Sequence, residues 1–504
     1  MTLGLILYNY VSVDSKSYTP ILIKNEFIKL LKKKSIYIVL IITLLFVVLI
    51  NFLYKYTSNN SYSRYFEDDI DYYSQCLKSL DSNNPDEVEA YADIKTQLDI
   101  VTLISKYEFD TWQANIIPEK LGSSIGSINY YTYIEKNETA LANAKQEYDK
   151  LVEILDSNNW KYFANIELKE LNEKINLEEN AKLAITDKSS LEESNYILNI
   201  YKIDKQVLEW RLSKDISYDN SFLNTALNDY ANYSKHILSY ERDNDSTYSE
   251  KLEYYNSLER ANINKYYIEN NITNIRDDDN RDILINLLNE YELFILIFII
   301  MISGSIVSDE FSKGTIKLLL VRPYNRLKIL SAKFITCLCM LICFIIFISV
   351  CQLLVGGIVQ GFNCLNVPAV VYNHNTNTIE TMSIAKHIVI TSCAKLPMYL
   401  LLMTLAFTIS TLFTNSALAI ALPLLGYMVS SIINQLALYA LSRNIKILLY
   451  FVTPNWDLTN YLFGGLPMFE SITLPFSITI CLIYLLIMVF ASAIVFKKRN
   501  IKNI

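Results

Sequence analysis

Six long apolar segments limit the folds open to this chain of 504 residues more than any other feature of its sequence. A helix needs roughly 20 apolar residues to cross the hydrocarbon of a bilayer, and each segment approaches or exceeds that length. The segments are residues 36–54, 291–307, 334–355, 388–413, 417–441 and 474–496. No small-residue cleavage site follows the first segment, so we expect an uncleaved span there rather than a signal peptide. The sequence therefore predicts an all-α, polytopic membrane protein with six transmembrane helices.

Residues 55–290 differ from the rest of the chain in charge. They contain 44 Asp and Glu against 25 Lys and Arg, so their net charge is −19. The whole chain carries −7, which leaves +12 for all other residues. A surface this acidic argues against nucleic-acid binding, which needs basic groups to neutralise phosphates. We expect residues 55–290 to form a separate extracytoplasmic domain, inserted between the first and second spans.

Long helices are predicted within this acidic domain, because glycine and proline are nearly absent from it. Apolar residues at spacings of three and four support helices with one buried face. The longest such stripe comprises Leu141, Ala144, Tyr148, Leu151 and Leu155. Two others are Leu223, Leu227, Tyr230 and Ile237, and Leu252, Tyr255 and Tyr266. We expect a helical bundle or coiled-coil-like domain, large enough to bury a core of its own.

Residues 308–333 form a basic loop between the second and third spans. Its basic residues are Lys313, Lys317, Arg322, Arg326, Lys328 and Lys333. Short loops rich in Lys and Arg stay on the cytoplasmic side, so this loop orients the spans. Gly314 can end a short helix because glycine tolerates positive φ, and Thr315 is placed to cap the next one. Pro323 would end that second helix, and Asn325 is placed to cap the following span.

Both ends of the chain are also basic, which predicts that both termini are cytoplasmic. Residues 21–35, within an N-terminal region of residues 1–35, alternate apolar residues and lysines at helical spacing. This pattern predicts an amphipathic helix in the inner interface of the bilayer. The last five spans would form a membrane domain of residues 291–496, followed by a basic tail of residues 497–504.

In the basic loop, the chain resembles the permease subunit of type-2 ABC exporters. That family carries an acidic residue, a Gly-Thr pair, a Leu pair, an Arg-Pro pair, a second Arg and a Lys between its second and third spans. The matching positions here are Glu310, Gly314, Thr315, Leu318, Leu319, Arg322, Pro323, Arg326 and Lys333. The family's elbow helix before the first span is similar too, with Glu26 and Lys29 at matching places. The large domain of residues 55–290 departs from the compact members of that family.

The resemblance implies that loop 308–333 is a coupling helix that docks on a separate cytoplasmic ABC ATPase subunit. ATP and Mg²⁺ would bind to that subunit and no cofactor to this chain, which lacks a G-x4-G-K-S/T phosphate loop. The resemblance also implies a homodimer or heterodimer of permeases in the cell membrane of a bacterium, without enzymatic activity of their own. The inserted domain leads us to expect large or amphipathic cargo, such as an antimicrobial peptide.

A second hypothesis has no ATPase partner. Phage-infection and type VII secretion accessory proteins also place a large outer domain between a first span and a similar five-span block. That likeness implies a surface receptor or secretion-accessory function. A third class, an intramembrane enzyme, has no support, because the chain lacks H-E-x-x-H and G-x-S-x-G patterns. The three histidines, His236, His374 and His387, are expected at the surface or hydrogen-bonded.

Lys395 is a charged residue inside a predicted span. A charge at membrane depth is a candidate for function, although snorkelling to the outer interface is the commoner explanation and is favoured by the sequence. Gly304 and Ser305 indicate close helix packing, within the chain or across a dimer. Residues 442–473 contain several Gly and Pro, and predict interfacial or re-entrant segments on the outer side.

Overall fold

A computed structural model describes residues 18–60, 63–108, 110–242, 247–275, 279–315 and 325–499. The described residues are mostly helical, as the sequence predicts, and divide into two compact units. The six-helix unit comprises Met1–Phe52, Asp278–Ala369 and Thr381–Ile504. The inserted unit comprises Leu53–Asp277 and Val370–Glu380.

The six-helix unit is named for the six spans, among the described residues, that are long and apolar enough to cross a membrane. The second of these spans, Glu292–Ser312, comprises the helices called α14 and α15 below. Its helices are α1 (Tyr18–Leu31), α2 (Lys34–Asn60, which continues into the inserted unit), α12 (Asn280–Ile285), α13 (Leu287–Glu290), α14 (Glu292–Ser305), α15 (Ser308–Ser312), α16 (Arg326–Gln360), α17 (Ile384–Leu412), α18 (Ser416–Ser442) and α19 (Leu474–Lys498). All six apolar segments of the sequence lie in these long helices, which confirms that part of the prediction. Residues 442–473 contain two short 3₁₀ helices, Ile447–Tyr450 and Thr459–Gly464, joined by irregular backbone.

Helix α14 occupies the centre of the six-helix unit. In the candidate span Glu292–Ser312, which comprises α14 and α15, 61% of the most apolar residues are buried. The corresponding share is 17–44% in the other five candidate spans. It contacts α16, α17 and α18. The Phe298 and Phe344 rings stack between α14 and α16, with centroids 3.8 Å apart. Gly304 permits a close approach to α18, because a Cβ atom there would lie 2.8 Å from the Ala419 carbonyl oxygen. The close packing expected at Gly304 is therefore found within the chain.

The inserted unit is built from nine further helices in its described residues. They are α3 (Ser63–Lys78), α4 (Val88–Ile104), α5 (Trp112–Lys120), α6 (Gly122–Asn129), α7 (Glu138–Asp156), α8 (Trp160–Lys182), α9 (Lys188–Ser213), α10 (Phe222–Arg242) and α11 (Tyr248–Glu269). A single π-helical turn, Tyr130–Ile134, follows α6. Neighbouring helices along the chain pack against each other, notably α8 with α9 and α10 with α11.

The apolar stripes predicted in this unit lie in its core. On α7, Ala144 and Leu155 are buried. Tyr148 and Leu151 are partly buried and pack against the apolar cluster that contains Leu155. On α10, Leu223 and Leu227 are buried. The stripe on α11 is only partly buried. The prediction of amphipathic helices that share a core is thus confirmed for the first two stripes.

A β-hairpin also belongs to the inserted unit and was not predicted from the sequence. Its strands are β1 (Ala369–Asn373) and β2 (Thr378–Met382). Asn377 has a φ of 53°, which suits the tight turn between them. Val370, Val371 and Tyr372 are buried, which is why β-branched and aromatic residues occur here.

Candidate functional site

The candidate site is a network of charged side chains that joins α1 to the two ends of the basic loop. On α1, Leu22, Glu26 and Leu30 are buried, one turn apart along one face of the helix. The carboxylate of Glu26 therefore points into the six-helix unit instead of into solvent. Ile21, Ile28 and Leu31 on the same helix are exposed, which agrees with an amphipathic helix at an apolar boundary.

Lys333 of α16 is the centre of this network. Its side chain has 0% of its surface exposed, and Nζ lies 2.7 Å from Glu26 Oε2 and 2.8 Å from Glu310 Oε1. Nζ also donates to the backbone carbonyl of Ile306 at 3.3 Å. A buried ammonium group is tolerated only where such partners compensate for the lost water. Lys333 thus ties α1, the end of α14 and α15 to α16.

Two further lysines extend the network towards the surface. Lys29 of α1 also pairs with Glu310. Lys33 lies between α1 and α2, and its Nζ is 2.7 Å from Asp309 Oδ2 and 3.0 Å from Ser305 Oγ. Three lysines therefore face three carboxylates. Because the charges balance, the network can remain ionised although its centre is inaccessible to water.

One carboxylate oxygen of Glu310 accepts no hydrogen bond from the described residues. Its side chain is 4% exposed, and Oε1 accepts from both Lys29 and Lys333. The buried Oε2 has no hydrogen-bond partner among the described residues. Glu310 and Lys333, both predicted to dock a partner, are thus inaccessible to a partner in this structure. Their contacts fix the base of the loop instead.

Two of the remaining loop residues, Gly314 and Asn325, lie at the ends of helices. Gly314 has a φ of 69° and follows α15, as expected of a glycine that ends a helix. Asn325 accepts a hydrogen bond from Leu327 N at 3.1 Å, which confirms its predicted role as the cap of α16. Thr315 is exposed, and the helix it was predicted to cap lies outside the described residues. Arg322 and Pro323 lie outside them as well.

Arg326 bonds the end of the last helix. Its Nη1 donates to the carbonyl oxygens of Lys497 at 3.1 Å and Arg499 at 3.2 Å. Carbonyl groups at the C-terminal end of a helix such as α19 have no backbone N–H partner within the helix. Arg499 in turn donates to Thr411 O at 2.5 Å, and its guanidinium lies 4.0 Å from the centre of the Phe311 ring. The C-terminal end of α19 is thereby attached to both ends of the basic loop.

The structure gives Lys395 a partner that the sequence did not reveal. Its side chain is 4% exposed and pairs with Glu292, the first residue of α14, and its Nζ lies 3.9 Å from Asp457 Oδ2. The Tyr427 hydroxyl donates to the other oxygen of Glu292 at 2.5 Å. Lys395 is therefore held between helices by a carboxylate partner. The snorkelling towards an interface that the sequence favoured stays a prediction.

A buried amide network joins α2 to α16. Asn51 and Gln352 exchange hydrogen bonds of 2.9 and 3.1 Å, and the Tyr291 hydroxyl donates to Gln352 Oε1 at 2.6 Å. All three side chains are fully buried. Asn51 lies roughly 25 Å along α2 from Lys33, at a rise of about 1.5 Å per residue. Polar contacts therefore hold the first long helix at two distant points.

Several of these partners were missed for one reason. Asp309, Lys33, Glu292 and Asp457 meet their partners across large separations in sequence, for which helical periodicity gives no signal. A weak local signal existed for Glu26, since it is spaced four residues from both Leu22 and Leu30. In the same way, Lys395 and Tyr399 are spaced to share one helix face.

Six candidate membrane-crossing helices and a balanced, buried ion-pair network fit a polytopic membrane protein. A family model described as a protein of unknown function (DUF2705) matches residues 254–502. The match begins inside α11 and covers α12 to α19 with the basic loop. The uncharacterized protein YhcI of Bacillus subtilis (strain 168) is 28% identical over 255 residues, which are 49% of this chain and 76% of YhcI. No solved structure matches the chain.

Proposed function

We propose that this chain is the membrane-spanning permease subunit of an ABC exporter. In this proposal, α1, both termini and the basic loop face the cytoplasm, and the inserted unit lies outside. A separate ATPase subunit binds the basic loop, and a second permease, identical or related, completes the transporter. The cargo is a large or amphipathic molecule, of which an antimicrobial peptide is an example.

The observation that carries the proposal is the ion-pair network around Lys333. A loop that transmits force from a docked ATPase has to be anchored rigidly to the helices that it moves. Here Glu310 at the start of the loop and Lys333 at its end are bonded to each other, and both are bonded to α1. A displacement of the loop would therefore reach α14, α16 and the elbow helix together.

The residues that remain accessible also fit this proposal. Ser312, Lys313 and Thr315 are exposed, directly after the anchored carboxylates. Docking would therefore use the exposed part of the loop, while Glu26, Lys29, Glu310 and Lys333 hold its base. For Glu26, Glu310 and Lys333 this division of roles follows from burial, because a buried side chain cannot contact a partner. Lys29 is half exposed and is assigned to the base by its ion pair with Glu310.

Site-specific photocrosslinking tests the docking. The photoreactive residue p-benzoylphenylalanine would replace exposed Lys313 in the full chain, expressed in its native membrane. The control places the same residue at Leu183, which is 86% exposed in the inserted unit. We expect position 313, and not position 183, to crosslink to a soluble protein with a Walker phosphate loop. If position 313 captures no such ATPase, a receptor or secretion-accessory function replaces the proposal.

Cysteine accessibility tests the orientation independently. The eight cysteines would first be replaced by serine, and a single cysteine then introduced as Lys313→Cys or Leu183→Cys. A membrane-impermeant maleimide added to intact cells should label position 183 at once, and position 313 only after permeabilisation. Labelling of position 313 in intact cells would overturn the proposed topology.

A further inference from the structure

A second charged cluster lies within the six-helix unit, and the proposed docking does not use it. It consists of Lys395 and Tyr399 of α17, Glu292 of α14, Tyr427 of α18, and Asp457, and is called here the Lys395 cluster. We propose that the Lys395 cluster binds an organic cation, an ammonium group on an apolar body, in exchange for the Lys395 amine.

The charges of the cluster do not balance. One ammonium group faces two carboxylates, so the cluster carries one excess negative charge when all three groups are ionised. Glu292 is satisfied, because one oxygen pairs with Lys395 and the other accepts from Tyr427. Asp457 Oδ1 accepts from Thr459, but Oδ2 lies 3.9 Å from Lys395, beyond hydrogen-bond distance. The Asp457 side chain is 35% exposed, so a cation from outside can approach it.

Tyr399 supplies a second and independent indication of a ligand. Its side chain is fully buried, and its hydroxyl has no hydrogen-bond partner among the residues that the structure describes. Tyr399 lies one helical turn after Lys395 on the same face of α17. A buried hydroxyl without a partner is unfavourable, because it has lost its hydrogen bonds to water. An ammonium group has three donors, so it could satisfy a hydroxyl as well as carboxylate oxygens.

The backbone around the cluster is interrupted on both sides. Pro397 lies inside α17, two residues after Lys395, and removes one hydrogen bond from the helix. Leu458 N donates to Ala394 O at 3.2 Å, so the irregular segment that carries Asp457 is bonded directly to this turn. Lys395 and Asp457 thus lie where small backbone shifts can separate them.

These observations define the ligand. Two carboxylates select a cation, and two tyrosines offer hydroxyl groups and aromatic rings to it. The surrounding helices are apolar, so the cation would carry an alkyl or other apolar part. That such a cation is the transported cargo rests on the proposed function, whereas the binding itself does not.

A binding experiment on the purified full chain, without an ATPase, tests the site. Trp456 adjoins Asp457 and is 6% exposed, which makes it a local fluorescence reporter. The other three tryptophans, Trp112, Trp160 and Trp210, would be replaced by phenylalanine. The probe is dodecylammonium, and dodecanol and dodecyl sulfate are the matched controls. We expect a saturable change of Trp456 emission with dodecylammonium only.

Four variants of the cluster predict opposite changes in affinity. Glu292→Gln and Asp457→Asn should each weaken dodecylammonium binding at least tenfold. Lys395→Met should strengthen it at least tenfold, because the internal competitor is removed, whereas Lys395→Arg retains a competitor and should not. If the two carboxamide variants fold and bind as tightly as the parent, or if dodecanol gives the same change, the inference is overturned.

Two outcomes would identify a purely structural ion pair. One is the absence of saturable binding to the parent chain. The other is a Lys395→Met variant that folds and binds no more tightly than the parent. Asp457→Asn protects the test against misfolding, since Asp457 is the least buried member of the cluster. Because no ATPase is present, failure here is distinct from failure of the Lys313 crosslink.

Discussion

Lys333 and Glu310 are bonded directly, with Nζ and Oε1 2.8 Å apart, and close the base of the basic loop. Glu26 Oε2 lies 2.7 Å from the same ammonium group, so α1 is also bonded to the base of the loop. Glu310 and Lys333 were selected from the sequence for docking a partner, and Glu26 as a residue of the helix before the first span. The structure places them together in the interior instead, where they hold the loop to three helices.

Removing the central ammonium group should destabilise the six-helix unit. Lys333→Met leaves Glu26 and Glu310 as buried carboxylates with fewer partners, which costs about 3–5 kcal/mol when one member of a buried pair is lost. The measurement is the free energy of unfolding in mixed detergent micelles. Lys24→Met is the control, because Lys24 is exposed on the same α1 helix, and its cost should stay within about 0.5 kcal/mol. Equal effects of the two variants would remove the network from its structural role.

Gly304 should tolerate no side chain. The Cβ atom of Gly304→Ala would lie 2.8 Å from the carbonyl oxygen of Ala419 and force α14 and α18 apart, at a cost of about 1–3 kcal/mol. Gly426→Ala is the matched control, since no heavy atom lies within 4 Å of its Cβ position. Thermal unfolding in detergent should therefore show a lower midpoint for the first variant only. A pair of unchanged midpoints would show that the two helices are not in close contact.

Gly314 tests the backbone of the loop without a packing change. No heavy atom of the described residues lies within 4 Å of its Cβ position, but its φ of 69° disfavours any L side chain. Gly314→Ala should cost about 1–2 kcal/mol, the penalty of the left-handed conformation. Gly314→Asn should cost less, because asparagine adopts this conformation more readily. The free energies of unfolding of the two variants decide the matter, and the reverse order would contradict a positive φ at this position.

His374 should make the inserted unit sensitive to acid. It stacks on Tyr255 with ring centroids 4.8 Å apart, and burial lowers the pKa of its imidazole below the ordinary value of 6.5. The unfolded chain therefore takes up a proton first, and stability falls as the pH decreases from 6.5 towards the lowered pKa. Carbon-13 spectra of histidine-labelled protein should show a His374 resonance that titrates below 6.5. Tyr255→Ala should return its pKa towards 6.5.

The carboxyl group that faces His374 works in the opposite direction. Glu259 Oε2 lies 3.9 Å from His374 Nε2, and burial raises the pKa of Glu259 above 4.5. Its contribution therefore becomes less unfavourable as the pH falls, and Glu259→Gln separates the two effects. Thermal midpoints at pH 7 and pH 5.5 should differ less in His374→Gln than in Glu259→Gln. A His374→Gln variant with undiminished acid sensitivity would exclude this histidine as the cause.

The long helices could be predicted from the sequence because their signals are local. Length and lack of charge located the fifth span at residues 417–441, and α18 is Ser416–Ser442. Cap residues were equally readable, as Asn325 shows. The hairpin at residues 369–382 was missed, although its first strand is rich in valine and tyrosine, because short strands resemble loops until a partner is known.

The pairing of the charged residues could not be predicted. Glu26 and Lys29 were selected by resemblance, and nothing in the sequence placed them beside Glu310 or Lys333. The partner of Lys395 was missed for the same reason, since Glu292 belongs to another helix. Burial and pairing depend on tertiary contacts, and a single sequence records only the order of the residues along the chain.

The β-hairpin also determines how the protein can be dissected. Residues 370–380 belong with Leu53–Asp277 although a long stretch of chain separates them. Deleting residues 55–277 to obtain a minimal membrane protein would expose Val370, Val371 and Tyr372 to solvent. The exposed apolar strand would favour aggregation. A secreted fragment that ends before the hairpin would lose the stacking of His374 on Tyr255 and expose the Tyr255 ring. A soluble form of the inserted unit therefore needs the hairpin grafted back through a linker.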